Sequence, residues 1–168
     1  MRLPSEHAQG AAAQSLAFIA GAGSAAMLLG AWSFQYLGGL PPCPICIWQR
    51  WPHAFAVILA LLIGSLPLRL HRAVIALGAL AATTTAAFGI YHTGIERGWW
   101  PGPDSCTGRG SGLGGLSGAD LLSTDAPVNL VMCDEVVWSM LGLSMASWNA
   151  VISLFLAGLW LAALRARA

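Results

Sequence analysis

Lysine is absent from this chain, and charge of either sign is scarce: 9% of its 168 residues are Asp, Glu, Lys or Arg, against 57% hydrophobic. With no lysine and a net charge of +1 there is no basic stripe for a nucleic-acid backbone, which excludes that class of partner. Charged content this low lies far outside the range of soluble domains and leaves an integral membrane protein. No internal repeat is present, and the length suits one domain over residues 1–168.

Apolar runs fill most of what is there. Ser15 to Leu37, Ala73 to His92 and Ser147 to Leu164 are each long enough to cross a bilayer. A fourth run, His53 to Leu66, falls short of the roughly 20 residues a span needs until its helix is started at Cys46. The spans predicted are therefore about 15–37, 46–66, 73–92 and 147–164, joined by outer segments of about 38–45 and 93–146. The first run exceeds the roughly 7–15 apolar residues of a signal-peptide core, so it reads as a retained helix. Small residues crowd these runs, as in "AGAGSAA" (20–26) and "ALGALAA" (76–82), and let helices approach closely. The expected fold is all-α, a four-helix transmembrane bundle running up and down.

Charge placement orients it. Four spans put Arg2, Arg69, Arg72, Arg165 and Arg167 on one side, which the excess of positive charge marks as the cytoplasm, with both termini there. Glu96, Asp104, Asp120, Asp125, Asp134 and Glu135 fall on the other side, in the long segment before the last span. Within that segment the glycines of "TGRGSGLGGLSG" (107–118) favour a mobile loop. For "LSGADLL" (116–122) a short membrane-parallel helix and a plain turn are both open. Trp99 and Trp100, at the exit of the third span, read as interfacial anchors.

Cysteine is sparse and patterned: Cys43 and Cys46 in "PPCPICIWQR", then Cys106 and Cys133, all on the side away from the arginines. Disulfides persist there if that side is a bacterial periplasm. Structural zinc wants two closely spaced ligand pairs, and Cys106 and Cys133 stand 27 positions apart, so no metal is expected. Two structural disulfides are an open reading. Closing a ring over two intervening residues removes little chain entropy, however, so a Cys43 to Cys46 bond adds little stability and a redox role suits it better.

The surrounding residues favour that role. A helix starting at the first pair exposes Cys46 to unpaired backbone N–H groups, and Arg50 follows one turn later on the same face; both favour thiolate. Arginine in an apolar setting costs about 2.5–3.5 kcal/mol at mid-bilayer on insertion scales, and less near an interface. Snorkelling would relieve the cost. The alternative is that Arg50 donates hydrogen bonds to an oxygen-bearing ligand between helices, and a quinone carbonyl suits such a donor beside a thiolate.

Cys-x-x-Cys-x-x-Gln-Arg at Cys43, Cys46, Gln49 and Arg50, opening the second of four spans, resembles the disulfide bond formation protein B (DsbB) family. "YHTGIERGWWPGPDSC" before Cys106 and "CDEVVWSMLGLSMASWNA" from Cys133 extend the resemblance over essentially the whole chain. It departs from the family in the Pro-Ile dipeptide inside the first pair and in a slightly wider second pair.

The resemblance implies a monomeric enzyme of the bacterial inner membrane. Such an enzyme reoxidises a periplasmic thioredoxin-fold oxidase (DsbA-like) and passes two electrons to a membrane quinone, ubiquinone or menaquinone. Carried over by motif, Cys106 is attacked by the partner's thiolate and Cys133 is released to exchange with Cys43. Cys46 then faces the quinone, with Arg50 polarising it and Gln49 beside it. Mobility after Cys106 would let Cys133 swing toward Cys43.

Two other functions compete. His53 and His92 lie near the outer ends of their helices and could ligate a b-type haem, which would make a small quinone-linked cytochrome with structural disulfides. A disulfide-stapled membrane scaffold is the non-enzymatic alternative. For His92, in "YHTG" at the depth of Cys46, quinone binding or proton delivery is the functional expectation. His7 and His71 carry none.

Overall fold

The computed structural model describes residues 4–103, 106 and 131–166. The readings made for 107–118 and 116–122 lie outside the described residues. Four helices dominate: α1 (Pro4–Tyr36), α2 (Pro44–Leu62), α3 (Leu68–Glu96) and α4 (Met145–Ala166). All four are long and apolar enough to cross a membrane. The protein is thus a four-helix transmembrane bundle, α1 packing on α2 and α4, and α3 on the same two neighbours.

Small residues set the helix spacing. Ala13, Ala17, Ala56, Ala60, Ala79 and Ala157 are buried in one core with Trp160, which is 0% exposed. Between α3 and α4 the approach is closest at glycines: a Cβ on Gly78 would lie 2.6 Å from the Trp160 ring, and one on Gly89 would lie 2.8 Å from the Ala150 backbone nitrogen. Contact between helices in lipid comes from such packing, because lipid tails are as apolar as leucine. Large apolar side chains such as Ile19, Leu29, Leu61, Leu80 and Phe155 point outward instead.

The antiparallel order brings the C-terminal ends of α1 and α3 and the N-terminal ends of α2 and α4 to one end of the bundle. That end carries all four cysteines. Pro44, at the first turn of α2, needs no backbone partner, and Cys43 caps the helix by accepting from the Cys46 N–H at 3.2 Å. Trp100 folds back on α3, its indole donating to the Tyr91 carbonyl at 2.9 Å.

A two-residue hairpin leads into α4. Strands β1 (Ser139–Met140) and β2 (Leu143–Ser144) pair antiparallel, with φ positive at both Leu141 (54°) and Gly142 (77°). That conformation matches the twist of the flanking strands. Ser144 then caps α4, accepting from the Ser147 N–H at 3.1 Å.

Candidate functional site

The two cysteine pairs form a single buried cluster. Cys106 and Cys133 are disulfide-bonded, with Cα atoms 5.3 Å apart, and the Cys133 N–H donates to the Cys106 carbonyl at 2.6 Å. They pack with Cys43, Ile45 and Ile95, and Cys46 borders the group. Cys43 Sγ lies 2.7 Å from Cys46 Sγ. The Cys43 thiol is pushed up, first by its hydrogen-bonded contact with the Cys46 sulfur and then by burial.

Cys43, His92 and Cys133 bring their ligand atoms within 4.8 Å of one another. No swing is therefore needed to carry Cys133 toward Cys43. Cys106 is only 2% exposed.

His92 links the sulfurs to α2. Its Nε2 lies 3.7 Å from Cys43 Sγ, and its Nδ1 lies 3.1 Å from the Gln49 amide nitrogen. An amide nitrogen so placed is a donor, which assigns the imidazole proton to Nε2, facing the sulfur. Glu96 stands one turn on, its Oε1 4.0 Å from His92 Nε2, and it accepts from the Ser144 hydroxyl.

Cys43 and Cys46 also line a cavity of about 510 Å³ between the helices. Its walls are largely apolar, with Phe34, Trp138 and Ile152 among them, and its polar lining includes Gln49, Arg50 and His92. Arg50 is half-buried and tied by Nη1 to Gln35 Oε1 of α1 at 2.6 Å. His53, also on the wall, donates to Asn149 Oδ1 at 3.0 Å; Asn149 Nδ2 in turn donates to Thr85 Oγ1 at 3.2 Å. His53 and His92 thus engage different partners.

The structure gathers Cys43, Cys46, Gln49, Arg50, His92, Cys106 and Cys133 at one end of the bundle. The structure adds Gln35, Glu96, Ser144 and Asn149 to the site. Only Glu96 had a readable signal, as an acid one helical turn after His92.

The family model for disulfide bond formation protein DsbB matches residues 13–163. The chain belongs to the DsbB family. Among relatives, disulfide bond formation protein B of Verminephrobacter eiseniae is 39% identical over 140 residues, covering 79% of this chain and 75% of that protein. Disulfide bond formation protein B 2 of Pseudomonas aeruginosa strain PAO1 is 32% identical over 131 residues, 72% of each. No solved structure matches the chain. Membership in the DsbB family, with four membrane-crossing helices, makes this a multi-pass membrane oxidoreductase of disulfide bond formation.

Proposed function

We propose that the chain is a protein-dithiol:quinone oxidoreductase of the bacterial inner membrane, which reoxidises a DsbA-like thioredoxin-fold oxidase in the periplasm. Both termini then lie in the cytoplasm, as the arginines Arg69, Arg72 and Arg165 at the far end of the bundle favour. The observation that carries this reading is the position of the Cys43 and Cys46 pair, which touches both the second disulfide and an apolar cavity with a fixed guanidinium.

Each sulfur step is thiolate attack on a disulfide. The partner's thiolate attacks Cys106 and releases Cys133. Cys133 attacks Cys43 of the first pair and releases Cys46 as thiolate. The partner's second thiol displaces Cys106 and leaves oxidised, after which Cys106 attacks Cys133, restoring its bond and freeing Cys43. The first pair then holds two electrons. His92 Nε2–H, beside Cys43, stabilises the thiolate that leaves there.

The cavity fits a quinone ring. Its volume lies within the roughly 300–1,000 Å³ of small-molecule sites, and polar groups of α2, α3 and α4 line it. His53 Nδ1, buried on the same wall, has no hydrogen-bond partner among the described residues. Arg50, Gln49 and His92 would hold the ring beside Cys46. When bound, the quinone supplies a two-electron, two-proton acceptor for the dithiol. Arg50, oriented by Gln35, presents its donors where negative charge develops, and the apolar wall excludes water.

The test is Cys106→Ser. Oxidation of the partner should be lost, while quinone still oxidises the chemically reduced Cys43 and Cys46 pair. Normal partner turnover in that variant contradicts the order of steps.

A further inference from the structure

Spacing along the chain hides one constellation, because its members come from three separate segments. The sulfurs of Cys43 and Cys133 and a ring nitrogen of His92 all lie within 4.8 Å of one another, and all three residues are buried. Thiol exchange explains why the two sulfurs meet. The imidazole that stabilises the leaving Cys43 thiolate also completes, with those sulfurs, a set of metal-ligand types. Two more donors border the set: Cys46 Sγ, 2.7 Å from Cys43 Sγ, and Glu96 Oε1, 4.0 Å from His92 Nε2.

While Cys133 is bonded to Cys106 its sulfur is no thiolate, and the set is incomplete. Full reduction changes this. Two thiolates, one imidazole and a fourth donor within reach make the composition of a tetrahedral zinc site. We propose that the fully reduced protein binds one thiolate-seeking divalent cation, Zn2+ by preference, through Cys43, Cys133 and His92, and that the ion holds the protein reduced.

The geometry is close to what such a site needs. Zinc–sulfur bonds of about 2.3 Å set the sulfurs of a tetrahedron roughly 3.7 Å apart, so closure takes movement on the order of one ångström. Gln49 already rests against His92 Nδ1. Turning its amide presents the oxygen to an Nδ1–H and leaves Nε2 free to ligate, the outer-partner arrangement that fixes metal-bound histidines. Binding releases the protons of the ligating thiols and moves no electrons. Because the ion occupies the lone pairs that must form the disulfide, dithiol oxidation stops until it is removed. That last consequence rests on the proposed function; the binding does not.

Cobalt titration of the anaerobic, fully reduced full-length protein provides the test. The expected result is one Co2+ per chain with a tetrahedral thiolate-to-cobalt spectrum, displaced by Zn2+ and absent from the oxidised protein. His92→Ala and Cys133→Ser should each abolish it, Gln49→Ala should weaken binding about tenfold, and Cys106→Ser should retain it. A reduced wild type without that spectrum, or one whose spectrum persists in Cys133→Ser, overturns the proposal. If His92→Ala does not fold, the more conservative Cys133→Ser decides. No quinone enters this measurement, so its failure and the failure of quinone reduction are separate results.

Discussion

Arg50 Nη1 donates to Gln35 Oε1 at 2.6 Å, tying the second turn of α2 to the last turn of α1. A guanidinium held this way is fixed at the cavity wall rather than left to follow the nearest water. Hydrogen bonds to charged groups contribute about 1.5–3 kcal/mol, so Gln35→Leu should raise the quinone KM about tenfold or more. Exchange between the partner and Cys106 should be unaffected. Steady-state kinetics with each substrate varied in turn separates the two.

The raised Cys43 thiol gives a pH prediction. A thiol whose titration is displaced upward carries less thiolate at any given pH, so reduced Cys43 should resist iodoacetamide until the solution is strongly alkaline. The largest cause is the contact with Cys46. Cys46→Ala therefore moves the midpoint of Cys43 alkylation to lower pH, with burial still holding it above that of a free cysteine. Mass spectrometry of the labelled site across a pH series reads the shift; an unmoved midpoint would contradict the assigned cause.

Asn149 joins three helices beneath the cavity, accepting from His53 of α2 and donating to Thr85 of α3. Asn149→Leu removes the short partner of His53, leaving it the longer Ser153 Oγ contact at 3.4 Å, while Thr85 keeps its bond to the Gln49 carbonyl; the change should cost about 1–3 kcal/mol. Thermal unfolding in detergent should show the loss as a lowered midpoint. Because His53 then loses its anchor, quinone affinity should fall in the same variant.

Much of this was legible in the sequence, for physical reasons that differ between elements. Hydropathy marks the stretch that fits oil, so four spans are visible, but it does not mark where a helix ends: α1 begins at Pro4 and α3 runs on to Glu96. Cys43, Cys46, Gln49 and Arg50 are legible together because one short helix mouth carries them all. Gln35, Asn149 and Ser144 are not, since their roles depend on side chains of other helices. The contact of Cys133 with Cys43 and His92 is likewise a product of packing. The hairpin turn at Leu141 and Gly142 carries no clear sequence signal because leucine replaces the usual asparagine or aspartate before the glycine.

The proposed route takes electrons from a periplasmic dithiol through Cys46 into the cavity beside Arg50. It is tested most directly by following quinone absorbance while the purified protein turns over a reduced thioredoxin-fold oxidase. One quinone should be reduced for each partner disulfide formed, with the rate lost in Cys46→Ser. Partner oxidation that proceeds without quinone consumption, or that survives in Cys46→Ser, would contradict it.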